Sequence, residues 1–224
     1  MTARGLAHTL SLPRFRLHRL LGQLLERHAR GRCLDAGAGR SPYGRVLEAL
    51  GCDVFSVDVE DRGGSIDLAA DLQDLNELPD ASFDTVLCTQ VLEHLPRPWD
   101  AVAEISRVLR PNGVAMISVP HLSVIHEAPH DYFRYTRFGL ESLLERAGLE
   151  VLEIESTGGL VCFLGHGTSV AMLGTVGAVP GLRWPVWLIN YVVLVRSLGV
   201  VDRILNTKTI YPCDYVLAAR KPPR

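Results

Sequence analysis

Short apolar runs alternate with helix-patterned segments along most of this chain, and that alternation constrains its fold more than any other feature. RCLDAG (32–37) reads as a short buried strand and CDVFSVDV (52–59) as a second. SIDLAAD (65–71), FDTVLCTQV (83–91), GVAMISVP (113–120) and LEVLEIES (149–156) follow as the third to sixth, and YPCDYVLAARK (211–221) as the seventh. Between them, Ser41-Pro42 reads as the N-cap and first helical residue of a helix ending near Gly51. Asp100 to Leu109 reads as a helix stopped by Arg110-Pro-Asn-Gly113, and Thr136 as the cap of a helix running to Gly148. Strands separated by helices predict an α/β fold, a parallel doubly wound sheet with helices on both faces.

Two segments stand outside this rhythm. Residues 14–30 place Leu17, Leu20, Leu21, Leu24 and Leu25 at helical spacing opposite arginines. Packing on the protein's own core and contact with anionic lipid are both open to such a helix. From Leu160 to Leu182 no Asp, Glu, Lys or Arg occurs, and after Arg183 comes the uncharged WPVWLINYVVLV. A single transmembrane span here would strand the seventh strand across the bilayer, away from its sheet. A helical cap over an apolar pocket and a patch dipping into a membrane interface remain, the latter aided by Trp184, Trp187, Tyr191, Arg183 and Arg196. The expected organisation is a basic helix (1–30), a core (31–159 and 208–224) and an apolar insertion (160–207).

With 224 residues, the chain suits one domain with a full core and an appendage. A net charge of −2 gives no whole-molecule field for nucleic acid, so none is expected as a partner. Five scattered cysteines without C-x-x-C read as reduced, buried thiols, and no signal peptide is apparent. A cytoplasmic protein is expected, with any membrane contact peripheral and at the inner face.

LDAGAGR (34–40) falls at the first strand–helix junction. Gly37 and Gly39 allow a sharp turn and close ligand approach, and Asp35 can hold the loop or reach a cationic ligand. Pro42 stands where a dinucleotide fingerprint needs its third glycine. Asp58, at the end of the second strand, is placed to accept from a ribose diol.

LDAGAGR, SVDVE, AADLQDLNELPDASFDTVLCTQVLEHL and EISRVLRPNGVAMISVP together resemble the class I S-adenosylmethionine-dependent methyltransferases, the methyltransferase-11-like group. The resemblance implies a Rossmann-like sheet of seven strands in order 3-2-1-4-5-7-6 with the last antiparallel, and S-adenosyl-L-methionine as cofactor. It implies that Asp35, Gly37 and Gly39 receive the methionine part and Asp58 the ribose. Asp71 and the Leu72 backbone would meet the adenine, and Gln90 would face the sulfonium. The loop after Gly39 departs from the family pattern in reading RSPYG. The implied activity is in-line methyl transfer to a small acceptor (at O, N or C), which the apolar insertion suggests is lipophilic. A methyltransferase fold kept as a non-catalytic, membrane-associated binding protein is the alternative.

HEAPH (126–130) spells the H-E-x-x-H zinc pattern, which needs a helix. Pro129 opposes one, and the stretch follows strand five in a loop position. No metal is therefore assigned. In this family that loop lines the acceptor site, so His130 and His126 become the candidate general bases. His121, Asp131, Tyr132 and Tyr135 become candidate acceptor contacts.

Overall fold

Residues 12–61, 66–179 and 181–223 are described in the computed structural model. Arg4, Ser65, Pro180 and Arg224 therefore lie outside the described residues. The chain divides into two compact units, Leu21–Glu155 with Val216–Arg224, and Ser156–Tyr215 with Met1–Leu20. The dividing lines fall within single elements.

The larger unit is built on the expected alternation. Its elements are β1 (Arg32–Ala36), α2 (Gly44–Ala49), β2 (Asp53–Asp58), β3 (Leu68–Ala69), β4 (Phe83–Thr89), α3 (Pro98–Val108), β5 (Leu109–Pro120) and α4 (Arg137–Arg146). The helix α1 (Leu12–His28) precedes them, and β6 (Glu150–Thr157) and β7 (Asp214–Arg220) complete the sheet. Strand order is β3-β2-β1-β4-β5-β7-β6. The pairs β1–β2, β1–β4, β2–β3 and β4–β5 are parallel. β7 runs antiparallel. Its end meets the start of β5, where Lys221 and Asn112 exchange backbone bonds with Gly113 and Lys221. Its start meets the end of β6, where the Cys213 amide donates to the Thr157 carbonyl at 2.8 Å.

Central strands buried on both faces explain the continuous apolar runs. Leu34, Val57, Val86, Leu87, Met116 and Ile117 are fully buried. α3 buries Ala101, Val102, Ile105 and Val108 at helical spacing, one stripe against the sheet. α1 likewise buries Leu17, Leu21, Leu24 and Leu25, so packing on the protein's own core accounts for its apolar stripe.

Several boundaries move for local reasons. Ser41 is not an N-cap: its φ is 44°, and its hydroxyl donates to Asp35 Oδ2 at 2.8 Å, so the helix begins at Gly44. The third strand shrinks to Leu68–Ala69 because the Asp67 carboxylate accepts from the Ser56 amide (2.8 Å) and hydroxyl (2.7 Å). Thr136 caps α4 as expected, accepting from Gly139 N at 3.1 Å, and Gly148 takes the left-handed φ of 74° that ends the helix.

In the smaller unit the apolar insertion forms a helical hairpin. α5 (Leu160–Gly174) runs out, and α6 (Arg183–Ile189), a wide π turn (Asn190–Ser197) and α7 (Leu198–Leu205) return the chain to β7. Two apolar helical stretches, Leu160–Ala178 and Arg183–Leu205, are thus long enough to cross a bilayer. The objection to a single span does not apply to a hairpin, which brings the chain back to its starting side. The interior combines small and polar residues with a buried apolar cluster of Leu173 and Val186. Ser169 and Asn190 are buried, and the Ser169 hydroxyl donates to Asn190 Oδ1 at 2.5 Å. A Cβ on Gly165 would lie 3.1 Å from Leu198. Large apolar side chains face outward, among them Leu164, Trp184, Leu188, Ile189, Val192 and Ile204. At the hairpin base, buried Asp202 pairs with Arg16 of α1 and accepts from the Cys162 amide at 3.0 Å.

Candidate active site

The carboxyl ends of β1, β2 and β4 in the larger unit carry the candidate cofactor residues. The chain leaves β1 through Gly37, whose amide, with that of Ala38, donates to the Val57 carbonyl at 2.8 and 3.0 Å. Gly37 has φ 75°, and a Cβ there would lie 2.4 Å from Val91 Cγ2, so the turn after β1 packs directly on the turn after β4. Gly39 has φ 59°, but a Cβ there would meet open space. One glycine is therefore required by the fold, while the other leaves room at the sheet edge.

Asp58 closes this loop from β2. Its Oδ2 accepts from the Gly39 amide at 2.7 Å and its Oδ1 from the Glu60 amide at 3.2 Å. Asp35, at the end of β1, is buried and accepts from Ser41 Oγ. Burial pushes its carboxyl up to about 6; the Ser41 hydroxyl works against that shift, and the nearby Asp58 charge adds to it. Two acids and a bare glycine thus converge where open α/β sheets take ligands. Asp71, beyond β3, is exposed and holds a turn by accepting from the Gln73 amide at 2.9 Å, with Leu72 buried beside it. Gln90, at the tip of β4, has φ 55°, a strained value for a non-glycine residue. Its amide donates to the Ser118 carbonyl at 2.8 Å, which ties the tip to β5.

This donor set fits S-adenosylmethionine. Asp58 offers carboxylate oxygens to a diol, Asp35 offers a buried anion to a cationic group, and Gly39 lets a ligand approach the backbone.

The loop 126–135 lies beside the turn Leu92–His94. Residues 126–130 are not helical, so His126 and His130 do not share a helix face as the zinc pattern requires. The Tyr132 and Phe133 amides donate to the Glu93 carbonyl at 2.8 and 3.2 Å. Asp131 is clamped by Arg134 at 2.6 and 2.7 Å and accepts from the His126 amide at 2.9 Å. The Arg134 guanidinium holds the Asp131 carboxyl well below the usual range. Tyr135 is buried, and its hydroxyl donates to the Leu92 carbonyl at 2.9 Å. Burial is the main cause raising its pKa. His121 Nδ1 bonds the Tyr135 carbonyl at 2.7 Å. His130 and Tyr132 are exposed, with His130 Nδ1 3.3 Å from the Tyr132 hydroxyl. Of the six loop candidates, then, Asp131, Tyr135 and His121 hold the loop's shape, His126 is half-buried with its amide bound to Asp131, and His130 and Tyr132 face outward.

Sequence reasoning passed over Ser41, Val91 and Glu93. Ser41 read as a helix cap because Ser-Pro is a common helix entry. Its hydroxyl goes instead to Asp35, six residues earlier. Only the unusual RSPYG wording after Gly39 signalled a different loop.

A family model described as a methyltransferase domain matches residues 34–117. A "Probable S-adenosylmethionine-dependent methyltransferase" of Mycolicibacterium smegmatis is 32% identical over 209 aligned residues, covering 82% of this chain and 79% of that protein. A ubiquinone biosynthesis O-methyltransferase of Burkholderia pseudomallei is 25% identical, covering 55% of this chain and 66% of that protein. The solved [4+2]-cyclase SpnF superposes with a TM-score of 0.63 at 22% identity, covering 92% of this chain and 81% of that one. The chain belongs to the class I S-adenosylmethionine-dependent methyltransferases. It is an enzyme that uses S-adenosyl-L-methionine as methyl donor.

Proposed function

We propose that this methyltransferase acts on a small lipophilic acceptor taken from a membrane interface, at the inner face of a cytoplasmic membrane. The observation that carries this reading is the hairpin's apolar exterior, with Trp184, Ile189, Val192 and Ile204 outside while the polar pair Ser169–Asn190 is inside. Water would penalise that arrangement, whereas an interface accepts it. Trp184, Trp187 and Tyr191 form a contiguous aromatic cluster, with Trp184 and Trp187 edge-on at 5.2 Å and Trp187 and Tyr191 stacked at 5.6 Å. Such rings favour the headgroup level, and Arg183 and Arg196 offer charge to anionic lipid. The five free, buried cysteines suit a reducing compartment.

The cofactor supplies a methyl group on a sulfonium, a good leaving group. In this reading Asp35, Gly37 and Gly39 hold its methionine part, Asp58 its ribose, and Asp71 and the Leu72 backbone its adenine. Gln90 faces the reacting centre. The protein's remaining task is to align the acceptor at about 3–3.5 Å. Where the acceptor is a hydroxyl, exposed His130 takes its proton, with Tyr132 beside it. The relative named as a ubiquinone biosynthesis O-methyltransferase supports oxygen as the acceptor atom.

Incubation with radiolabelled S-adenosylmethionine and a total lipid extract tests this. Label should move into an organic-soluble product, and the protein should float with anionic liposomes. Label confined to water-soluble products, with no flotation, would overturn the reading.

A further inference from the structure

We propose that Glu93, His94 and His126 form a binding site for one divalent first-row transition ion of the zinc type. Their candidate ligand atoms lie within 4.8 Å of one another. Glu93 is fully buried, so its carboxylate and the two imidazoles meet in a site shielded from bulk water. His94 Nε2 lies 3.7 Å from Glu93 Oε1. Tetrahedral coordination with bonds near 2.1 Å separates ligand atoms by about 3.4 Å. The Glu93–His94 pair is therefore already close to coordination spacing.

The outer contacts favour metal ligation. His94 Nδ1 lies 2.5 Å from the His130 carbonyl. A carbonyl only accepts, so Nδ1 carries the proton and Nε2 keeps a lone pair on the Glu93 side. A ring N–H fixed to a backbone carbonyl is the usual second contact of a metal-bound histidine. His126 Nδ1 lies 3.2 Å from the Val124 carbonyl and 3.5 Å from Arg134 Nη2, contacts that hold the ring in place beside Glu93 and His94. The His126 backbone is fixed by Asp131, and the following residues by the Glu93 carbonyl. The His94 and His126 rings meet edge-on at 4.8 Å.

Two imidazoles and one carboxylate suit zinc or iron better than magnesium or calcium. Three protein ligands leave a position open. Glu93 follows Gln90 by three residues, so an oxygen of the acceptor is the expected fourth ligand. That last point rests on the methyl-transfer reading; ion binding does not.

Calorimetry of the metal-stripped full chain with Zn2+, and visible spectroscopy with Co2+, test the site. One equivalent should bind, with a Co2+ spectrum typical of nitrogen and oxygen ligands. His126→Ala, in the loop, and Glu93→Gln should each weaken binding at least tenfold, and far-ultraviolet circular dichroism checks that each folds. Absence of stoichiometric binding, unchanged binding by His126→Ala, or sulfur charge-transfer bands that place the ion on a cysteine would overturn the proposal. Binding of S-adenosylhomocysteine to the stripped wild type is measured separately, so failure of the cofactor assignment and failure of the metal site are distinguishable.

Discussion

The Asp58 carboxylate accepts the Gly39 amide at 2.7 Å, so one acid from β2 both shapes the glycine loop of β1 and points at the space in front of it. Asp58→Ala removes the loop's brace and the proposed ribose acceptor together. Its dissociation constant for S-adenosylhomocysteine should rise at least tenfold by calorimetry. Asp58→Asn keeps an oxygen for Gly39 and should fall between Asp58→Ala and wild type.

The two loop glycines should separate in their effects. Gly37→Ala forces a methyl group to 2.4 Å from Val91 and should destabilise the protein by about 2–3 kcal/mol in urea unfolding. Gly39→Ala meets open space, so only its positive φ is strained, at about 1 kcal/mol. Its larger effect should be on cofactor affinity.

Asp35 gives a pH dependence of defined sign. Its carboxyl titrates near 6 when folded and near the ordinary 3.8 when unfolded. The unfolded chain therefore ionises first. Relative to Asp35→Asn, stability of the cofactor-free protein should fall by about 3 kcal/mol as pH rises from about 4 to above 6, then level off; the comparison separates this carboxyl from buried Asp214, which burial also pushes up to about 6. A cationic ligand favours the ionised form, so S-adenosylmethionine affinity should rise through pH 6, and binding should release protons there. Ser41→Ala removes the hydroxyl that steadies the carboxylate and should move this rise to higher pH.

How far all this was legible in the sequence depends on the range of the interactions. The strands of the core, Gly37, Gly39 and Asp58 were readable because local pattern and backbone geometry agree there. Ser41 was not, because a distant carboxylate, Asp35, outbid the local capping geometry. The third strand was overlong because Asp67 engages Ser56 through its side chain, which no periodicity records. The insertion was recognised as apolar, but its hairpin brings together residues far apart in sequence, such as Ser169 and Asn190, 21 residues away. The HEAPH histidines were visible as chemistry, while their neighbours Glu93 and His94 come from a turn more than 30 residues earlier.

The hairpin's two surfaces should respond differently to mutation. Replacing outward Leu188, Ile189, Val192 and Val193 together by serine should abolish liposome flotation while thermal stability in buffer stays near wild type. Asn190→Leu should leave flotation intact but lower stability by about 1–3 kcal/mol, since the buried Ser169 hydroxyl loses its acceptor.

The loop clamp should be structural. Asp131→Ala leaves the Arg134 guanidinium without its bidentate partner and should cost about 2–3 kcal/mol in urea unfolding. Cofactor affinity, which the proposed reading places on other loops, should change little.

The Thr157 hydroxyl donates to Asp214 Oδ2 at 2.8 Å, joining the residue where the chain leaves β6 to the one where it enters β7. Everything from residue 158 to 213 is thus a loop hung from adjacent anchor points. Evolution can lengthen it, shorten it or exchange it for another without re-threading the sheet. A single catalytic chassis could in this way be refitted for different compartments and different acceptors by swapping one contiguous piece of gene.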